Sequence, residues 1–296
     1  MHILLTGGTG FIGGALVTSL LDDAHQLTVL SRQALSGSEG LNYIRSLDEL
    51  GNDAAIDAVI NLAGASLADK RWTENYKQEI FSSRLETTGN LIELFRRLAH
   101  PPATLLSASA IGYYGHHGDE PLDENGEIDP GFSQELCSRW EGVALQAAEL
   151  GTRVCLLRLG VVLDSGGGAF EQMDFPFRMG IGNWIGHGRQ WLSWIHREDV
   201  IAAIKHLLAD TSLEGPFNLT APEAVTSRGF CDAMKHHRRT FVTAPVPGLV
   251  MRLMVGEMAE ELLLNGQRVV PAALEAAGFS FRYPTLDDAL AAIVQN

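Results

Sequence analysis

The sequence predicts an α/β protein: a doubly wound parallel sheet with a smaller α/β C-terminal lobe. Three observations carry that prediction. Short apolar runs alternate with helix-periodic segments over roughly the first 160 residues, the first run stops at glycines, and from Gly166 glycines and aromatics mix in a different texture. The expected division is 1–165 for the sheet domain and 166–296 for the lobe, with a last unit at about 247–296. Some strands of the lobe are expected to return to the main sheet.

Each element has its own reason. Ile3-Leu4-Leu5 reads as a buried strand that stops at Thr6-Gly7-Gly8-Thr9-Gly10 and restarts as a helix through Phe11, Ile12, Ala15, Leu16 and Leu20. Leu27 to Leu30 is a second strand, Leu41 to Ile44 a weaker third after a Ser/Gly-rich loop, and Asp57 to Gly64 a fourth that ends in small residues. A helical pattern runs through Ile80, Leu85, Leu91, Leu94 and Phe95, and Pro101-Pro102 stops it before the strand Thr104 to Ser107. A Gly/Asp/Pro-rich loop from Gly112 to Gly131 leads to a helix over 133–150 and the strand Val154 to Leu157. Beyond Gly166 the patterns predict a helix at Glu198 to Leu208, a strand at Pro216 to Leu219, and helices near Leu249 to Leu264, Ala272 to Ala277 and Leu286 to Val294.

The 296 residues are 46% hydrophobic and 20% charged, which excludes a disordered chain. With 22 Lys+Arg against 36 Asp+Glu the net charge is −14, a surface that repels nucleic acid and anionic membranes, so an anionic ligand has to be held locally. Cys137, Cys155 and Cys231 are far apart and show no metal-ligand spacing, which predicts reduced thiols, a cytoplasmic compartment and no metal site. No signal-peptide pattern opens the chain, and no apolar stretch reaches the roughly 18 to 20 residues of a spanning helix, so no membrane is expected.

Gly7, Gly10 and Gly13 stand three apart between a strand and a helix. That spacing permits a tight turn, close approach of a pyrophosphate to the backbone and close helix packing, each of which excludes a Cβ. Thr9, Phe11 and Ile12 share the loop and join them as cofactor-binding candidates. The bland alternative is a glycine-rich turn with no ligand; its place at the first strand of a βα pattern favours a dinucleotide. About 20 residues on, an NAD site places Asp or Glu on the ribose hydroxyls. Ser31-Arg32 stands there instead, a pair that suits a 2′-phosphate and points to NADP(H), the alternative being a solvated loop arginine.

With those residues, Asn61-Leu-Ala-Gly64 and Ser107-Ala-Ser-Ala-Ile-Gly-Tyr-Tyr-Gly115 in order, the chain resembles the extended short-chain dehydrogenase/reductase superfamily. Within it the chain is similar to an atypical branch of NADP-dependent epimerase-family proteins, the nucleoside-diphosphate-sugar epimerase branch. Further marks are Arg71-Trp72, Ser83 to Thr88, Trp140-Glu141, Leu157 to Leu163, Gly186 to Gln190 and Ser193 to His196. Gly266 through Phe279 looks like the branch's C-terminal domain of unknown function, so the resemblance covers nearly the whole chain. It implies a Rossmann-type fold with Gly7 to Gly13 on the pyrophosphate, Ser31 and Arg32 on the 2′-phosphate, and Leu62, Ala63 and Gly64 on the adenine-ribose side. It also implies that Glu79 and Arg84 form an acidic and basic pair near the cofactor and that Val161 lies near the nicotinamide. A solvated helix face is the alternative for Glu79 and Arg84.

By the same resemblance, a Ser or Thr hydrogen-bonds the substrate oxygen and the Tyr of a YxxxK pair is the general acid/base. Ser109 matches the serine, but no YxxxK occurs, and the two positions, counted back from Glu141, fall on Ser133 and Cys137. These read as helix-start and core residues. Tyr113 and Tyr114, on the loop after Ser109, are then the candidates for moving the proton, or else packed loop aromatics; a free tyrosine, with a pKa near ~10, needs tuning for that task. Arg178, His187, Arg189, Gln190, Trp194 and His196 are the substrate-side candidates, because glycine hinges beside aromatics and hydrogen-bonding groups suit a loop that closes on a polar ligand. His196 reads equally as a structural histidine before a helix, and Asp199 as a cap or domain tie. The expected function is an NADP(H)-dependent oxidoreductase or epimerase-like protein acting on a small polar carbonyl or alcohol, with a sugar nucleotide among the candidates. The missing Tyr/Lys pair motivates an alternative, a sensor or scaffold that binds NADP(H) without chemistry.

Overall fold

The computed structural model of the protein describes residues 1–68 and 70–295. His2–Thr6 (β1) turns Ile3 and Leu5 to one side of the sheet and Leu4 to the other, and all three are fully buried. A strand buried on both faces needs a helical layer on each. Gln26–Leu30 (β2), Leu41–Ile44 (β3), Ala58–Asn61 (β4), Thr104–Ala110 (β5), Arg153–Leu159 (β6) and Gly215–Leu219 (β7) join β1 in one sheet of order β7-β6-β5-β4-β1-β2-β3, parallel throughout. This is the Rossmann-type α/β fold that the sequence predicts.

The helices in chain order are Phe11–Asp22 (α1), Glu74–Arg97 (α2), Phe132–Leu145 (α3), Gly168–Arg178 (α4), Arg197–Ala209 (α5), Ser227–His237 (α6), Gly248–Val255 (α7), Ala272–Ala276 (α8) and Leu286–Gln295 (α9). On the Ile3/Leu5 face, α1 packs Leu16, Val17 and Leu20 beside Val200, Ala203 and Ile204 of α5. On the Leu4 face, α2 packs Leu91, Ile92 and Phe95, with Ala144 of α3. The i, i+3, i+4 spacing of these residues is what makes each segment an amphipathic helix.

A separate core of Phe170, Phe177, Trp194, Phe230, Met234 and Leu290 gathers α4, α6 and α9. Beside it Ile181–Ile185 pairs in parallel with Val242–Val246. From the same half of the chain, α5 and β7 belong to the main sheet and its covering layer. The helical pattern expected near Leu249 to Leu264 is broken: α7 ends at Gly256, whose φ is +70°, and Ala259–Leu264 forms a π-helical turn. The last segment is tied down at Asp199, whose carboxylate accepts from the backbone N–H of Arg282 (2.8 Å) and Tyr283 (3.0 Å). Among the described residues no helix is long and apolar enough to cross a membrane, and no His/Cys/Asp/Glu group is arranged to hold a metal ion.

Candidate functional site

The chain runs from β1 to β2 and β3 on one side and from β4 onward on the other, so the strand order reverses between β1 and β4. At such a reversal the loops leaving the carboxyl ends diverge and open a crevice. The loop after β1 enters it. Gly7 has φ +72°, and a Cβ there would lie 2.6 Å from the Leu62 carbonyl oxygen; a Cβ on Gly13 would lie 2.1 Å from the Gly7 carbonyl oxygen. The turn therefore closes against both the next loop and its own helix. No side chain caps α1 at Gly10, and its first turn carries no acid, which leaves its free N–H groups for an anion. Thr9 and Gly10 are exposed, while Phe11 and Ile12 are half-buried. Arg197 lies 4.6 Å from the centre of the Phe11 ring, across which the Gly167-Gly168 turn also packs.

A buried polar network holds the crevice floor. Thr6 Oγ1 donates to Asn61 Oδ1 (2.6 Å) and accepts from the Ala63 N–H (3.2 Å). Asn61 Nδ2 donates to Thr88 Oγ1 (2.9 Å) and Ser107 Oγ (3.2 Å), and Trp140 Nε1 donates to the same Thr88 oxygen (3.0 Å). The loop Leu62-Ala63-Gly64 is thereby locked to α2. Over Gly64 lies Arg84: a Cβ on that glycine would be 3.0 Å from the guanidinium carbon. Arg84 is half-buried, sits 5.3 Å from the centre of the Trp140 ring and donates to the Ile80 carbonyl (3.2 Å). It makes no ion pair among the described residues, and burial pulls its pKa below the ordinary value. A cation shielded from water without a counter-ion is a place where a phosphate or ribose gains.

The other cofactor-side candidates divide. Ser31 is buried and Arg32 exposed at the carboxyl end of β2, and Ser31 Oγ accepts from the Gln33 N–H (3.2 Å). Val161 follows β6 and pairs with Trp194 in a short parallel ladder. Glu79 does not pair with Arg84; its exposed carboxylate meets Lys70 Nζ at 2.9 Å.

Ser109 and Tyr114, expected to polarise the substrate and move its proton, are instead closed into a buried network. Ser109 Oγ donates to Glu141 Oε1 (2.7 Å), and the Glu141 carboxylate takes two hydrogen bonds from Arg158, at 2.9 and 3.0 Å. Arg158 also donates to the Tyr114 hydroxyl (3.0 Å) and the Glu124 carbonyl (3.0 Å), and the Tyr114 hydroxyl donates to Asn218 Oδ1 (2.7 Å). Tyr114 is 0% exposed, and burial pushes its pKa up to about 12, which removes it as a proton carrier near neutrality. Glu124 completes the network by accepting from the Asn218 N–H (2.9 Å) and the Ala273 N–H (3.1 Å), so it ties α8 to the sheet. Tyr113 differs: it is half-buried, its ring lies 3.5 Å from the Arg158 guanidinium carbon, and its hydroxyl makes no hydrogen bond among the described residues.

At the vacant Tyr and Lys positions, Ser133 Oγ donates to Glu261 Oε2 (2.7 Å), and burial pushes the Cys137 thiol up to about 12. That thiol is therefore inert near neutrality. The sequence reading gave no partner for Ser133; the structure supplies Glu261.

The substrate-side candidates do not converge on one pocket. Trp194 is fully buried in the lobe core, and His196 caps α5 by accepting from the Glu198 N–H (3.1 Å) while stacking on Tyr283 at 4.0 Å. Arg178 and Arg238 both bind the buried Asp174 carboxylate, at 2.6 and 2.9 Å. His187 and Arg189 are exposed. Gln190 donates to the Ile185 and Leu263 carbonyls and leaves a buried Oε1 with no partner among the described residues. An open groove of about 880 Å³ between α1 and α5 lies at the other edge, beside His25, and contains none of these residues.

Residues 3–219 match the NAD dependent epimerase/dehydratase family, and residues 246–293 match a domain of unknown function, DUF1731. The chain belongs to this epimerase/dehydratase family. An epimerase family protein of Staphylococcus saprophyticus is 41% identical over 299 residues, covering 99% of each chain. The crystal structure of the human epimerase family protein SDR39U1 (isoform 2), solved with NADPH, is similar at a TM-score of 0.90 and 34% identity over 100% of both chains. A UDP-glucose 4-epimerase of Thermus thermophilus in complex with NAD shares the fold at a TM-score of 0.76 with 20% identity, over 100% of this chain and 98% of that one. The DUF1731 match coincides with the segment that supplies Glu261, and it contains the Ala273 N–H bonded by Glu124.

Proposed function

We propose that this family member is an NADP(H)-dependent oxidoreductase acting on a small polar carbonyl or alcohol, with a sugar nucleotide among the candidate substrates. The observation that carries the proposal is Arg84, a half-buried guanidinium with no ion pair among the described residues, over Gly64 at the strand-order reversal. The fit extends along the crevice. The uncapped α1 N-terminus and the close approach at Gly7 and Gly13 suit a pyrophosphate, Ser31 and Arg32 suit a 2′-phosphate, and Leu62, Ala63 and Gly64 suit the adenine-ribose side. When bound, NADP(H) supplies a hydride donor or acceptor at its nicotinamide ring. Val161 would lie near that ring, and Arg84 would meet a ribose or phosphate of the cofactor.

The proton falls to Tyr113 in this reading, because its hydroxyl is the one of the expected trio left uncommitted among the described residues. Ser109, Glu141 and Arg158 serve as the platform under its ring. NADPH-loaded protein mixed with a metabolite extract tests this: cofactor fluorescence should fall with the native chain and hold nearly steady with Tyr113→Phe. Full turnover by Tyr113→Phe would overturn Tyr113's role.

A second reading, an NADP(H)-binding sensor without chemistry, is favoured by the burial of Ser109 and Tyr114 and by the Ser133–Glu261 bond at the missing Tyr position. Steady fluorescence with the native chain would support it over the first.

A further inference from the structure

We infer that Arg45, at the end of β3, is a second cation for the cofactor's 2′-phosphate; this rests on the NADP(H) reading above. The strand register places it. Leu30 of β2 is opposite Ile44 of β3, and the Ser31 N–H donates to the Ile44 carbonyl at 2.9 Å. The pairs Ser31-Arg32 and Arg45-Ser46 therefore leave the sheet side by side at its carboxyl edge. Beside them a groove of about 570 Å³ runs between this edge and α2, with Arg45, Arg96, Arg97, Asp48 and Glu93 among its lining residues.

Charge supports the assignment. Neither Arg45 nor Arg32 makes an ion pair among the described residues, and both are exposed at adjacent strand ends. Glu49 Oε1 accepts from the backbone N–H groups of Arg45 (2.6 Å) and Ser46 (2.9 Å) and makes no ion pair with the Arg45 side chain. A phosphate monoester carries close to two negative charges near neutrality, more than one exposed arginine neutralises in a surface of net charge −14. Two arginines from adjacent strands meet that requirement.

The test uses probes that contain only the adenosine end: adenosine 2′,5′-bisphosphate and 5′-AMP, titrated calorimetrically into the full-length native chain, Arg45→Ala and Arg45→Gln. The native chain should prefer the bisphosphate, and both variants should lose about tenfold of that preference while 5′-AMP binding stays unchanged. An undiminished preference in the variants would overturn the role of Arg45 and leave the NADP(H) reading standing. Equal weakening of both probes would move Arg45 off the 2′-phosphate and overturn the inference in that form. No preference in the native chain would instead overturn the NADP(H) reading itself.

Discussion

Replacing Glu141 with alanine puts the buried network to its hardest test. Glu141 and Arg158 side chains are 6% and 4% exposed, and the carboxylate takes two hydrogen bonds from the guanidinium and one from Ser109. Its removal leaves Arg158 buried with only the Tyr114 hydroxyl, the Glu124 carbonyl and two aromatic rings for company. Stranding a buried charge in this way costs about 3–5 kcal/mol. For a chain of 296 residues, an unfolding entropy of about 2 cal/mol/K per residue converts that cost to a fall of roughly 5–8 °C in the melting midpoint. Urea unfolding followed by circular dichroism, with calorimetry for the midpoint, measures both. Tyr114→Phe removes a hydroxyl and leaves its partners in place, so it should cost less, about 1–3 kcal/mol. A loss below about 1 kcal/mol for Glu141→Ala would refute the reasoning, because water would then reach Arg158 and the Ser109 and Tyr114 hydroxyls would not be closed off.

Other perturbations separate the parts of the account. Gly13→Ala sets a Cβ 2.1 Å from the Gly7 carbonyl oxygen and should weaken NADPH binding by about tenfold or more, whereas Gly14→Ala, with its nearest atom at 3.9 Å, should bind normally; fluorescence titration of the pair checks both. Arg84→Ala should weaken NADPH and NADH alike in the same titration, since Arg84 stands over Gly64 on α2, apart from Ser31 and Arg32, and would meet a ribose or phosphate common to both cofactors; selective loss of NADPH would contradict that placement. Burial would raise the Asp174 carboxyl, but hydrogen bonds from Arg238 and Arg178 outweigh it and hold its pKa below 3.8. The stability this carboxylate contributes is therefore present above about pH 4 and lost as pH falls through the depressed value. Melting curves from pH 7 to pH 3 should show Asp174→Asn less stable at neutrality, with the gap to the native chain closing in acid.

The sheet and its crevice were legible in the sequence because burial on both faces writes itself as apolar runs, and the first of them stops at the glycine loop. The NADP(H) expectation came from the same loop together with Ser31-Arg32. Ser109 misled because matching a motif says nothing about which way a strand side chain faces. The period-2 rule does: Ser109 shares a face with Leu105, which packs under α2, so its hydroxyl turns into the helical layer toward Glu141. Trp194 and His196 occupy a buried strand and a helix cap, roles that depend on contacts with Val161 and Tyr283 far along the chain. Glu261 was invisible for a similar reason: it is 128 residues from Ser133 and lies on a π-helical turn that interrupts the expected helix.

Titration of the purified chain with NADPH and, in parallel, NADH tests the central claim that the carboxyl-edge crevice is a dinucleotide site selective for the 2′-phosphate. The account predicts that NADPH binds and that NADH binds about tenfold more weakly or worse. Equal affinity for the two, or binding of neither, would contradict it.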